Sequence, residues 1–220
     1  AELRIQQEAR DSAPVAGDDV IGDGDATNGG PVSGDDEVLE DQAVTFDVLG
    51  NDKRADGGDL TNATIAAVGQ PAHGKVAIVA EQDELIVSPG FSDGDTVTLT
   101  VNGTSVTFTL DADISVDANM ALFATQINGN AAMSGIVTAT AVGSRGGLTL
   151  TSAVPGTPIA SSAATSTVNF SADVSNTVPN GRITYTPDAN YSGADTFTYT
   201  VSNGANPPSF DTATVTIDIT

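Results

Sequence analysis

The sequence of 220 residues predicts a mainly β protein: an antiparallel β-sandwich accompanied by a small α+β unit of β-β-α-β-β order. Three observations predict it. Apolar and polar residues alternate with a period of two in several short stretches. Polar turns rich in Gly, Asn, Asp and Pro separate those stretches at short spacing. Val, Ile and Thr are plentiful, and such side chains suit a pleated, half-buried surface.

The chain opens with AELRIQQEAR, in which Leu3 and Ile5 alternate with charge over too short a span to fold alone. PVAGDDVI at 14–21 is echoed by PVSGDDEV at 31–38, with the glycine-rich DGDATNGG between them. VLEDQAVTFDVLGND then places Val44, Phe46 and Val48 on one side of a strand and runs into an acidic loop. Two further strands are expected around Ile65 to Val68 and Lys75 to Val79, joined by QPAHG. In SDGDTVTLTVNGTSVTFTLD, Asn102-Gly103 between two alternating runs is a strong hairpin signal. A helix follows, with Asp117 as its expected N-cap, Met120, Phe123, Ala124 and Ile127 on one face, and Asn128-Gly129 as its end. GIVTATAV and GLTLTS supply two more strands. Near the C-terminus, Ile183 and Tyr185 alternate with threonines, as do Phe197, Tyr199 and Val201. The closing DTATVTIDIT puts Ala213, Val215, Ile217 and Ile219 on one face.

Several of these phrases, DEVLEDQAVTFDVLGND, VGQPAHGKVAI, GRITYTPDANYSGADTFTYTVSNG and TATVTIDI, match in order and spacing. Together they resemble the bacterial Ig-like, cadherin-like repeats of VCBS and RTX-type giant adhesins, over roughly residues 31–81 and 181–220. The resemblance implies an Ig-like antiparallel sandwich in which the PAHG and YTP strands join by a short hairpin. Here about a hundred residues lie between Glu81 and Gly181, which implies an inserted domain at 82–180. Loop tips tolerate insertion because closure entropy grows slowly with length. The insert's β-β-α-β-β order resembles modules of flagellar hook-associated, phage-tail and large surface proteins, and that likeness implies assembly. Residues 1–30 are left as an N-terminal extension.

Composition restricts the function. A formal net charge of −22 argues against a nucleic-acid binder, which needs Lys and Arg to replace phosphate counterions. It fits a divalent-cation partner, or simply solubility. The chain has no cysteine, hence no disulfide and no thiolate metal site. No apolar run approaches the roughly 18 residues needed to span a membrane. A start at Ala1 fits a mature exported protein or one that never had a leader.

Asn51, Asp52, Asp56 and Asp59 present oxygens on a glycine-loosened loop, the donor set calcium favours. The resemblance implies calcium here as well, although Lys53 and Arg54 interrupt the acidic run and offer internal neutralisation. Asp18, Asp19, Asp23, Asp25, Asp35 and Asp36 are further candidate ligands in GDD and DGD phrases that lack the EF-hand pattern. Catalysis is not expected: the single histidine, His73, sits in a turn, and no nucleophile elbow, phosphate loop or HExxH occurs. Asn62, Asn102 and Asn190 open glycosylation triplets, short enough to arise by chance.

The expected function is a secreted structural subunit, possible calcium included, that forms a homopolymer with copies of itself as an extracellular filament or surface layer. The N-terminal segment would lend a strand to a neighbour, with Leu3 and Ile5, or Val15 and Val20, as anchors. The alternatives are a ligand-binding adhesin module recognising a cell-surface glycan or protein, and a solvated, unpaired leading segment. A hydrolase using paired carboxylates would require a deep cleft.

Overall fold

The computed structural model describes residues 13–21, 38–60, 62–143, 145–205 and 207–220. In chain order the strands are β1 (Pro14–Val15), β2 (Asp19–Ile21), β3 (Val44–Asp47), β4 (Lys53–Arg54), β5 (Thr64–Val68), β6 (Gly74–Ile78), β7 (Gln82–Val87), β8 (Thr96–Val101) and β9 (Thr104–Thr109). Helix α1 (Val116–Gly129) follows, then β10 (Val137–Val142), β11 (Gly147–Ser152), β12 (Ser161–Thr165), β13 (Ala172–Val178), β14 (Arg182–Pro187), β15 (Gly193–Ser202) and β16 (Phe210–Ile219). The chain divides into two compact units, one of Ala1–Val79 with Asn180–Thr220, the other of Ala80–Pro179.

The first unit is an Ig-like sandwich. One sheet has the order β3-β14-β6 and the other β2-β16-β15-β5, with β1 and β4 forming a separate two-stranded ribbon. Period-two alternation decides which side chains go inward. On β15 Phe197, Tyr199 and Val201 are buried, and on β16 Ala213, Val215, Ile217 and Ile219 face them from the same core. Phe46 and Ile183 close that core from the opposite sheet, with the Phe46 and Phe197 rings 6.1 Å apart. Burying this apolar face is what holds the two sheets together.

The segment 14–21 belongs to this sandwich. β2 pairs in parallel with β16, Asp19 opposite Val215 and Ile21 opposite Ile217, and Ile21 is fully buried. Val38 rejoins the same strand opposite Ile219. Val15 and Val20, expected as anchors in a neighbouring subunit, here have partners within their own chain. Val15 pairs with Lys53 and Val20 with Thr216 of their own chain, so the β16 edge is already covered. Leu3 and Ile5 lie outside the described residues.

The second unit has its own core, built on the sheets β10-β11-β7-β13 and β12-β8-β9. It is richer than the β-β-α-β-β order read from sequence, because β7, β12 and β13 are added. The Asn102-Gly103 turn joins β8 and β9 as expected, with φ of 47° and 79° at the two central residues, the combination a two-residue hairpin loop requires. Helix α1 buries Met120, Phe123, Ala124 and Ile127, the face its spacing predicts, and Phe123 stacks on Phe108 at 5.0 Å. Its N-cap is Ser115, whose side chain accepts from the Ala118 amide, while Asp117 accepts from the Gly146 amide at 2.7 Å. The helix ends at Gly129, as the Asn128-Gly129 pair predicts, and the Asn128 side chain exchanges two 2.8 Å hydrogen bonds with the backbone of Ala139, acting as a one-residue strand partner for β10.

Ile78 of β6 pairs with Ile183 of β14, and Gln82 of β7 pairs with Val178 of β13. In the first unit β6 and β14, which flank residues 80–179 in the chain, are antiparallel neighbours.

Candidate metal centre

Two buried acids in the sandwich show opposite solutions to one problem. Removing a carboxylate from water is costly unless donors or a cation replace the lost solvation. Asp195, 4% exposed, has its donors: the amides of Ala72, His73 and Thr196 at 2.9–3.1 Å and the Tyr185 hydroxyl at 2.9 Å. This acid pins the QPAHG turn to strand β15, and it is structural. Asp19 is 0% exposed, and neither of its carboxylate oxygens has a hydrogen-bond partner.

Asp19 is not isolated. It sits beside Asp52, Tyr199 and Asn51, close enough for each to influence its ionisation. Asp52, 2% exposed, keeps Oδ2 unpartnered, and Asn51 keeps Oδ1 unpartnered. The Tyr199 hydroxyl has a single proton for three acceptors within reach: the Val48 carbonyl at 2.7 Å, Asp52 Oδ1 at 2.9 Å and the Gly17 carbonyl at 3.2 Å. The Gly17 amide gives one more donor, to Asp52 Oδ1 at 2.7 Å. Acceptor oxygens therefore outnumber donors, and the excess is concentrated on two buried carboxylates.

Electrostatics express the same imbalance. Burial, and then the Asp52 charge, push the Asp19 carboxyl up to about 8, against the pull of the Tyr199 and Asn51 side chains. Burial pushes Asp52 up to about 6, opposed chiefly by the Gly17 amide. Burial also raises the Tyr199 hydroxyl, helped by the Asp19 and Asp52 charges. Burial therefore favours the protonated form of Asp19, unless a cation takes that proton's place.

The donor set fits a divalent cation bound through oxygen. Among the described residues no three acidic or His side chains converge on one point. Here two carboxylates are joined by an amide oxygen, and main-chain carbonyls stand beside them. Calcium accepts that mixture, taking carboxylate, amide and carbonyl oxygens in a flexible cage. Asp19, Asp52 and Asn51 would hold it, and its charge would replace the missing donors.

Local structure explains why these residues meet. Alternation along β2 turns Asp19 inward and leaves Asp18 outward, where its carboxylate accepts from the Thr214 amide at 2.8 Å. The turn after β3 brings Asn51 and Asp52 back, and Asn51 donates to the Asp18 carbonyl at 3.2 Å. Of the ligands read from sequence, Asp19, Asn51 and Asp52 come together. Asp56 and Asp59 do not join them: they are ion-paired with Arg54 and, at 2.7 Å, with Lys53 on the exposed side of the loop. The basic residues that interrupt the acidic phrase are spent on those two acids. Asp35 and Asp36, with Asp23 and Asp25, lie outside the described residues. Tyr199 and the Gly17 and Val48 carbonyls were not read from sequence, since Tyr199 registers there only as one more inward aromatic.

The second unit has a smaller buried acidic pair. Glu81 accepts from the Ile159 amide at 2.7 Å and Asn176 at 2.5 Å, and Asp83 accepts from Ser161. Both carboxyls are raised by burial, Glu81 additionally by the Asp83 charge. A surface hollow of about 320 Å³ lies between Val87, Pro89, Val116 and Arg145, and its one carboxylate, Asp117, is held by the Gly146 amide. No facing pair of acids lines it. His73 is exposed, and its ring stacks on Tyr191 with centroids 4.1 Å apart.

Two family models match the chain, a bacterial Ig domain over residues 11–105 and a cadherin-like domain over residues 154–220. No curated protein matches. Among solved structures, the C-terminal domain of the Streptococcus pyogenes antigen I/II-family protein AspA aligns at 13% identity with a TM-score of 0.19, covering 83% of this chain and 41% of that one. The CFA/I enterotoxigenic E. coli adhesin CfaE aligns at 10% identity with a TM-score of 0.15, covering 81% and 40%. The chain spans about two-fifths of each, and at these TM-scores neither likeness bears on its fold or function.

Proposed function

Starting from a sandwich that is a bacterial Ig-like, cadherin-like repeat, we propose that this chain is an extracellular, cell-surface module of the adhesin type, with a structural and binding role and no catalytic one. Its sandwich is completed by one calcium ion held by Asp19, Asn51 and Asp52. The observation that carries this reading is the buried carboxylate of Asp19 with both oxygens unpartnered beside a second buried acid.

Filament assembly by strand donation from residues 14–21 forms no part of the reading, because that segment completes the chain's own sheet. A receptor, a glycan or a protein on a cell surface, is the partner this class of module implies. The exposed strands and loops of the two units are the surface available to it.

Calorimetric titration of the metal-stripped chain with calcium tests the proposal, alongside thermal melting. A ligand that binds only the folded state raises its stability by mass action, so the melting temperature should climb with calcium concentration. Asp19→Asn should abolish both the heat and the shift. A wild-type chain with neither heat nor shift would end the calcium reading.

A further inference from the structure

The oxygens of the pocket come from three separate stretches of chain. Gly17 and Asp19 lie on the leading segment, Val48, Asn51 and Asp52 on the turn after β3, and Tyr199 on β15. The last two stretches belong to the body of the sandwich: β3 pairs with β14 over four residues and β15 with β16 over ten. The leading segment is held far more lightly. β2 has three residues in parallel register with an edge of β16, and β1 has two residues paired with β4. Besides its pairing, the segment contributes buried Ile21 and Pro14, and against these it carries Asp19 into the interior without a donor. Three of its hydrogen bonds to the body are to acids, Ala16 donating to Asp211, Gly17 to Asp52 and Thr214 to Asp18; the others run from Asn51 to the Asp18 carbonyl, Tyr199 to the Gly17 carbonyl and the Ala55 amide to the Ala13 carbonyl.

Ile21 and Val38 pair with β16 at separate places, opposite Ile217 and Ile219. Sixteen residues, 22–37, separate Ile21 from Val38, which has its own place opposite Ile219 and is buried.

Resting on the calcium reading above, we propose that the cation is a latch on strand β2. With calcium bound, residues 14–21 stay docked against β16; with calcium removed they detach, baring the β16 edge and the berth of Ile21 while the rest of the sandwich stays folded. The sign follows from the pocket: bridging Asp19 to Asp52 turns the least favourable contact of the segment into its strongest tie to the body. Local opening of a weakly held edge, with the core closed, is the expected form of such a transition.

Hydrogen exchange on the full chain, in excess calcium and after chelation, reads this directly. Amides of residues 16–21, and the β16 amides opposite them, should exchange at least ~10-fold faster without calcium. Protection at Phe197–Val201 and in residues 80–179 should stay unchanged. Asp52→Asn in calcium should behave like the stripped wild type. Calorimetric calcium binding with unchanged protection at 16–21 would overturn the latch and leave the site standing. Equal loss of protection throughout β15 would overturn it too, since calcium would then stabilise the unit as a whole. Absence of binding heat would remove the site and the latch together.

Discussion

Replacing residues 80–179 by a four-residue turn between β6 and β14 should leave a folded sandwich. The sequence ends on both sides of the cut already lie on paired strands: Ile78 opposes Ile183, and the Val79 amide donates to the Arg182 carbonyl at 2.9 Å. The magnitude follows from loop closure. An unfolded connection of about 100 residues costs the sandwich (3/2)RT ln n more than one of about 4, or about 3 kcal/mol. In the wild type the folded second unit hides this cost, because Gln82 and Val178 hold its own ends together. Phe123→Asp exposes it. Phe123 is fully buried against Phe108, and a charge there should unfold the second unit alone.

The assay exploits where the chromophores sit. The chain has three tyrosines and no tryptophan, and Tyr185, Tyr191 and Tyr199 all belong to the first unit. Tyrosine fluorescence in urea therefore follows the sandwich, while far-UV circular dichroism also follows α1. With a slope of about 2 kcal/mol per molar urea, the Phe123→Asp tyrosine midpoint should lie roughly 1.5 M below that of the shortened chain. The wild type should lie near the shortened chain. A shortened chain with no tyrosine transition, or identical midpoints for it and Phe123→Asp, would refute the reasoning.

Two other outcomes are expected. Glu81 and Asp83 are raised above their ordinary values, so the folded second unit binds more protons than the unfolded chain between those values and the raised ones. Its stability should therefore fall as pH rises out of the usual carboxylate range, and Glu81→Gln with Asp83→Asn should flatten that slope in urea melts at a series of pH values. Tyr185→Phe removes the hydroxyl bonded to Asp195 and to the His73 carbonyl, leaving a buried acceptor short of a donor. The cost should be about 1–3 kcal/mol, seen as a lower melting temperature with calcium binding unchanged.

The strands that carry the sandwich were legible because their signal is local. In TFTYTVS and TATVTIDI every second residue is apolar, and those residues are the ones buried on β15 and β16. The same holds for the hydrophobic face of α1 and the Asn-Gly turn. Less legible were β7, β12 and β13. β7 carries two adjacent acids, Asp83 buried and Glu84 half-buried, one on each face, so its pattern is blurred by charge. SSAAT and ADVSNTV are poor in large β-formers, and they extend because β8 and β7 offer them a paired edge. The helix start was displaced for a related reason: Ser115 and Asp117 are both good caps, and the loop's approach to Gly146 gives Asp117 other work.

By itself the sequence determined an acidic, mainly β chain with one helix, and an oxygen-rich turn at Asn51-Asp52, because alternation, turn chemistry and charge are properties of neighbours along the chain. Only the tertiary structure decided which acids, among the described residues, are buried without donors. Asp18 and Asp19 are adjacent and chemically identical; the pleat of β2 sends one outward to a backbone amide and the other inward to face Asp52 and Tyr199. That choice depends on pairing with β16, almost two hundred residues away, and burial then converts an ordinary carboxylate into the strongest feature of the molecule.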